Sequence, residues 1–312
     1  MEYCFGVDIG GTTVKIGVFT AAGEAIDKWE IPTRTEFNGV NILPDIAESV
    51  KKKAEELQIK KEEIVGIGVG VPAPVDSEGV VQNTANLGWG YKEVKRELEE
   101  LTGIRAEIGN DANVAALGEM WMGAGAGEPN MIMVTLGTGV GGGIVVEGQC
   151  IVGAHGSGGE IGHLHVNSEE TERCGCGNLG CLEQYASATG IRRLALKHLE
   201  KSTRASVLRD ISPESLDAKA VFDALKAGDQ LAQETVEEFA NYLGTALANL
   251  AVVTDPAVIV IGGGVSKAGE ILIDHVKVAF DKHAFFGNKG TRIVLASLGN
   301  DAGMCGAAKL IL

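Results

Sequence analysis

The chain has 312 residues, 45% apolar and 22% charged, with a net charge of −15. That is enough apolar sequence for a full core in one large domain or two ordinary ones, and the acidic balance without a basic stripe excludes nucleic acid as an expected partner. The opening MEYCFGVDIG lacks the basic and apolar regions of a leader, and no apolar run approaches the ~20 residues of a membrane span, so the expectation is a cytoplasmic protein with no membrane partner.

Glycine is the outlier, 44 residues, about twice the usual ~7%. The first glycine cluster lies in GVDIGGTTVKIGVF, Gly6 to Phe19, where apolar residues precede the turn and Val14, Ile16 and Val18 alternate after it; the pattern predicts strand, turn, strand. Residues 44–58 read as a helix with Ile46, Val50 and Leu57 on its apolar face, and 64–76 as a buried strand ending at prolines. NTANLGW (83–89) is a polar turn, 91–102 a charged helix, and 104–111 a strand running into the helix ANVAALGEMWMG. IMVTLGTGVGGGIVVEG, Ile132 to Gly148, repeats the strand, glycine turn and strand about 127 residues after the first. Residues 184–252 are mostly helical; Ala257 to Phe280 give strand, glycine turn and amphipathic helix; the closing NDAGMCGAAKLIL gives a turn and a short helix. This is an α/β pattern with mixed sheets. The duplicated hairpin suggests two similar lobes with a cleft between them and a boundary near residue 112.

The turns suit phosphate. Backbone N–H groups at Gly10, Gly11, Thr12 and Thr13 are candidate donors, with hydroxyls from Thr12 and Thr13 and charge from Lys15. Asp8, just before the glycines, suits Mg²⁺ held through water. Gly137, Thr138 and Gly139 of the second turn would take other phosphates of the same nucleotide, and Gly262, Gly263 and Gly264 of the third would let an adenosine lie against backbone. A Rossmann fingerprint needs a helix directly after G-x-G-x-x-G; the first two turns are followed by strands and the third has other glycine spacing. A Walker A loop is absent. One glycine turn alone is most simply a connection; three in order, two of them matched hairpins, point to a nucleotide. Asp111, after Asn110 at a strand-to-helix junction, is placed either to cap the helix or to accept a proton from a hydroxyl, and the two roles are compatible. Asn86 is a loop residue or a hydroxyl binder.

CGCGNLGCLEQ concentrates Cys174, Cys176 and Cys181, half of the six cysteines, beside Glu183. In a reducing compartment such a cluster reads as metal ligands, and with His163 it forms a Cys₃His set for a closed, structural Zn²⁺. His155 and His165 are alternative fourth ligands. The same loop carries Glu160 and Glu183, and a pinned loop would hold both carboxylates still for sugar hydroxyls.

Together DIGGTTVKIGVF, LGTGVGGGIVVEG…GSGGEIGH and CGCGNLGCLEQYAS resemble the ROK family of sugar kinases and repressors, from the first strand to the last helix. The resemblance implies a two-lobed, actin-like, hexokinase-type (ribonuclease H-like) α/β fold, with a smaller lobe of 1–112 plus 301–312 and a larger lobe of 113–300 carrying the zinc loop. It implies ATP, Mg²⁺ and structural Zn²⁺; Asp111 as catalytic base; Asn86, Asn110, Asp111, Glu160, His163 and Glu183 around a sugar; His163, Cys174, Cys176 and Cys181 on zinc; and a homo-oligomer, dimer or tetramer. The expected reaction is ATP-dependent phosphorylation of glucose at the 6-hydroxyl, at the entry to glycolysis. The alternatives are a ROK kinase for N-acetylmannosamine, N-acetylglucosamine, fructose or allose, and a non-catalytic sugar sensor. A repressor is disfavoured by the acidic charge and by the absence of a helix-turn-helix before the first strand. Ala73 in GVPAPVD departs from the glycine many relatives carry there.

Overall fold

The computed structural model describes residues 1–84 and 86–312. The five strands of the first sheet are β1 (Tyr3–Ile9), β2 (Thr13–Thr20), β3 (Ala25–Pro32), β4 (Ile64–Val71) and β5 (Ala106–Asn110), in the order β3-β2-β1-β4-β5. β1, β2 and β3 form an antiparallel meander, whereas β4 and β5 run parallel to β1. β3 was not anticipated from the sequence. It is an edge strand with every second residue exposed and no run of buried residues. A second sheet contains β6 (Met131–Leu136), β7 (Val140–Val146), β8 (Gln149–Cys150), β9 (Val258–Gly262) and β10 (Arg292–Leu295), in the order β8-β7-β6-β9-β10.

The main helices are α1 (Ile42–Glu56), α2 (Val94–Thr102), α3 (Asp111–Met122), α4 (Ala188–Lys201), α5 (Ala218–Lys226), α6 (Gln230–Thr254), α7 (Glu270–His283) and α8 (Ala302–Leu310). None of the helices among the described residues is long and apolar enough to cross a membrane. Local chemistry sets the starts of α4 and α6. The Ser187 side chain accepts from the Gly190 N–H, and Asp229 accepts from those of Leu231 and Ala232.

The chain divides into two compact units, Met1–Pro129 with Gly143–Gly159 and Ser297–Leu312, and Asn130–Gly142 with Glu160–Ala296. In the first unit one face of the sheet buries Phe5, Val7 and Ile16 against Ile42, Ile46 and Val50 of α1. The other face, with Cys4 and Phe19, is covered by Met304, Cys305 and Ala308 of α8. That covering is unusually close. A Cβ on Gly68 would land on the Ala307 carbonyl, and one on Gly306 on the Val114 carbonyl of α3. Glycines at these positions therefore admit a helix against bare backbone, a purpose distinct from turn-making. Buried Glu119 of α3 ties the same region down, accepting from the backbone N–H groups of Ala124 (2.7 Å), Ser297 (3.0 Å) and Leu298 (2.8 Å). The second unit buries Val258 to Ile261 of β9 together with Phe239, Leu243 and Leu247 of α6 and Leu272, Val276 and Phe280 of α7.

Candidate active site

The first glycine turn closes on itself: the Gly10 N–H donates to the Thr13 carbonyl at 3.0 Å, and the Thr33 hydroxyl and N–H donate to the carbonyls of Gly10 (2.7 Å) and Thr12 (2.9 Å). The expectation counted Gly10 among the phosphate donors; its N–H is instead spent on the turn. Gly11 faces open space apart from Asn86, whose Cβ would lie 3.5 Å from a side chain there, so the exposed Asn86 flanks the turn. The Lys15 ammonium donates to the Asn300 carbonyl at 3.0 Å. β2 thus directs this charge toward the segment leading into α8.

Asp8 and Asp111 belong to the same unit and sense one another. Burial first and then the Asp111 charge, opposed by Lys15, raise Asp8 to about 6. Asp111 opens α3, and its Oδ1 accepts from the Ala112 N–H at 2.8 Å. Asn110 is the helix cap, accepting from Ala112 (2.9 Å) and Asn113 (3.3 Å) while its amide donates to the Ala73 carbonyl (3.2 Å). Capping by Asn110 leaves the Asp111 carboxylate at a strand's C-terminal end and a helix's positive end. Ala73 contributes its carbonyl to that arrangement. A Cβ on Gly303 would press on the Asp8 carboxyl, so the glycine keeps room around it.

In the second unit, the second glycine turn is stitched to the start of α4. The Ala188 N–H donates to the Gly137 carbonyl (2.8 Å) and the Thr189 hydroxyl to that of Thr138 (3.0 Å). Gly137 and Gly264 both face open space, so a ligand could lie where a side chain would stand. Gly262 ends β9, and Gly263, at φ 83°, packs against the Leu136 backbone. A 3₁₀ turn, Gly264–Ala268, then precedes α7, where the sequence suggested a direct strand–turn–helix passage. Beside Gly264 opens a cavity of about 320 Å³ lined by residues that include Ala188, Lys219, Phe222, Lys226 and Lys267. Sequence reading missed this wall, because α5 comes to Gly264 only through the fold.

His163 and the three cysteines converge. Their ligand atoms all lie within 4.8 Å of one another, with Cys174 Sγ 3.9 Å from His163 Nδ1 and Cys176 Sγ 3.6 Å from Cys181 Sγ. A tetrahedral zinc with Zn–S ~2.3 Å and Zn–N ~2.0–2.1 Å spaces its ligand atoms roughly 3.5–3.8 Å apart, so the set fits. Burial and then the neighbouring thiols push Cys181 up to about 12, burial raises Cys174, and the Asn178 N–H lowers Cys176. A divalent cation would relieve that crowding. His165 is excluded as the fourth ligand, since its Nδ1 meets the Leu179 carbonyl and its Nε2 the Ser168 hydroxyl, each at 3.0 Å. His155 lies outside the cluster. Glu160 is exposed and precedes the 3₁₀ turn Ile161–His163. Glu183 is fixed from two sides: Oε2 accepts from the Val140 N–H at 2.9 Å and Oε1 lies 3.7 Å from Cys174 Sγ. A side chain on Gly139 would collide with that carboxylate, so the second glycine turn also accommodates Glu183.

These two α/β units, with their mixed sheets and glycine turns, have the hexokinase-type fold, and the chain belongs to the ROK family, whose family model matches residues 4–312. It is 45% identical over 309 residues to a glucokinase of Halalkalibacterium halodurans, covering 98% of this chain and 94% of that one. Among solved structures it is similar to the ROK hexokinase of Thermus thermophilus, with a TM-score of 0.84, 33% identity and coverage of 99% of this chain and 97% of that one. It is also similar to a ROK family glucokinase of Streptomyces griseus solved with glucose and AMPPNP, with a TM-score of 0.75, 33% identity and 99% of each chain covered.

Proposed function

We propose that this protein is a glucokinase that transfers the γ-phosphoryl group of ATP to the 6-hydroxyl of glucose. The observation that carries the reading is the placement of Asp111 in one unit with the first glycine turn, its charge felt by Asp8 at that turn. Phosphoryl transfer asks for an oriented nucleophile, a base beside it and neutralised phosphate charge. Asp111 takes the proton of the sugar 6-hydroxyl, the oxygen forms its bond to the γ-phosphorus, and the bond to the β,γ-bridging oxygen breaks to release ADP. Asn110, by capping α3, holds Asp111 in place.

Asn86, Asn110, Asp111, Glu160, His163 and Glu183 are the proposed sugar ligands. Gly11, Thr12 and Thr13 and the turns at Gly137–Gly139 and Gly262–Gly264 are the proposed nucleotide contacts, with the cavity beside Gly264 for the adenosine. The crowded carboxylate of Asp8 suits a cation, and bound Mg²⁺ would neutralise phosphate charge in the transfer. Zn²⁺, held by His163 Nδ1 and the three thiols, would supply rigidity to the loop. His163 would keep Nε2 for the sugar. Exposed Val253, Val278 and Phe286 support self-association into a homo-oligomer. We place the reaction in the cytoplasm, at the entry to glycolysis.

The test is ADP release with Mg-ATP across glucose, fructose, mannose, N-acetylglucosamine and N-acetylmannosamine. Turnover with glucose well above the rest is expected. Preference for an amino sugar would keep the mechanism and replace the substrate, and no turnover with any sugar would overturn the reading.

A further inference from the structure

Between His163 and Cys174 the loop carries Asn167, Glu170 and Glu172, which the site as described does not use. Glu170 is buried, only 8% exposed, yet charged. Burial pushes its pKa up, but the Arg193 guanidinium, the Tyr185 hydroxyl and the Glu172 N–H outweigh this and hold it at about 2. Its Oε1 accepts from the N–H groups of Thr171 and Glu172, both at 3.0 Å, and its Oε2 accepts from the Tyr185 hydroxyl and forms an ion pair with Arg193 Nη2. Arg193, on α4, reaches three places: Glu170 at 2.6 Å, Glu172 at 3.0 Å and the Gln184 carbonyl at 3.5 Å. Tyr185 stacks on Tyr242 of α6 with ring centroids 4.1 Å apart, and the Asn167 amide donates to both their hydroxyls, at 2.9 and 3.3 Å. Gln184 bridges the Cys181 N–H (3.1 Å) and the Glu172 carbonyl (2.9 Å).

A buried ion pair is an expensive way to fill a core, since apolar residues of similar volume are often at least as stabilising. Its use here is geometric. The network ties the loop to the short helix Glu183–Ala186, which carries Glu183, through Gln184 and Tyr185. We infer that Glu170, Tyr185 and Arg193 form a metal-independent clamp whose role is to position Glu183 for the sugar and to present the cysteines already arranged for zinc. The inference rests on the sugar-kinase reading for the role of Glu183, and on the thiol cluster alone for the role toward zinc. All three are positioning residues.

The experiment uses the full-length chain reconstituted with Zn²⁺, as wild type and as Arg193→Met, Arg193→Lys and Tyr185→Phe. Tyr185→Phe keeps the stacking and removes one hydroxyl, so it folds even if Arg193→Met does not. Steady-state kinetics, zinc release to a colorimetric chelator and melting temperature are read for each. Loss of outer-shell partners typically weakens metal sites 10–100-fold. Arg193→Met should therefore release zinc about tenfold faster or more, and raise the glucose KM by about tenfold, with kcat within about threefold and the ATP KM unchanged. Tyr185→Phe should show smaller changes of the same kind. Arg193→Lys keeps the charge but cannot bridge three anchors, so it should recover melting temperature without recovering KM. Melting temperatures that fall while sugar KM and zinc release stay wild-type would overturn the proposal, as would full recovery by lysine. A wild type that phosphorylates no hexose would instead overturn the sugar-kinase reading, and zinc release would still decide the clamp.

Discussion

Asp8→Asn should make the protein more stable while disabling it. The unfolded chain holds an aspartate near 3.9, and in the folded chain Asp8 stands at about 6 because burial and the Asp111 charge disfavour its ionisation. The sign follows from linkage. Below about pH 4 Asp8 is protonated in both states and costs nothing; as pH rises through 6 the folded state must ionise it against burial and repulsion, and stability is lost. The gap of about two pH units corresponds to ~3 kcal/mol at 1.36 kcal/mol per unit, and residual solvent at this half-buried site trims it to ~1–3 kcal/mol. Asparagine carries no charge and escapes the cost. In Mg²⁺-free buffer Asp8→Asn should therefore melt above wild type at pH 8, by on the order of 5 °C, and the advantage should shrink to about a third of that near pH 4.5. Adding Mg-ATP should close the gap by stabilising wild type, and phosphoryl transfer by the variant should be strongly reduced. Thermal melts of both proteins from pH 4.5 to 8 decide it. A variant less stable than wild type at pH 8, or an advantage independent of pH, would refute the reasoning.

Asp111→Asn should lower kcat by ~10²–10⁴-fold while glucose binding, measured by calorimetry, survives, because the lost group acts on the proton in flight. Cys181→Ser should lose zinc, read by metal content, and raise the glucose KM about tenfold or more through the loosened Glu183; full activity in metal-free protein would remove the scaffold role. Gly306→Ala should destabilise by ~1–3 kcal/mol or more, because the new methyl meets the Val114 backbone, which cannot rotate aside. Turnover in the surviving folded fraction should be close to wild type.

The parts of the molecule legible in the sequence are those whose signal is local. Alternation around the first two glycine turns gave both hairpins, and the apolar spacing of Ile46 and Val50 gave α1 within a few residues of its observed span. The cysteine spacing pointed to the cluster that the structure brings together with His163, because three thiols within eight residues have few other uses. What stayed illegible depends on distant chain segments. The choice of His163 over His165 turns on Leu179 and Ser168, which occupy both His165 nitrogens. The restraint on Glu183 comes from Val140, 43 residues earlier. β3 escaped notice because an exposed edge strand with charged alternate residues looks like a loop. The glycine excess did not by itself show where backbone packs on backbone: Gly68 and Gly306 serve the close approach of α8.

The closing role of α8 also has a consequence during synthesis. The sheet of the first unit is drawn from the first 110 residues, and Trp121 of α3 packs on Phe19, but the cover of Cys4 and Phe19 is completed by Met304, Cys305 and Ala308. Between Pro129 and Ala302 the ribosome adds more than half of the chain, on the order of 10–35 s of translation at 5–20 residues per second. Through that interval the earliest-made sheet waits with that apolar face incompletely covered, while the intervening residues of the second unit are completed. Nascent chains of this protein should therefore depend on a holding chaperone over that window, and slow codons late in the message should raise aggregation more than slow codons early.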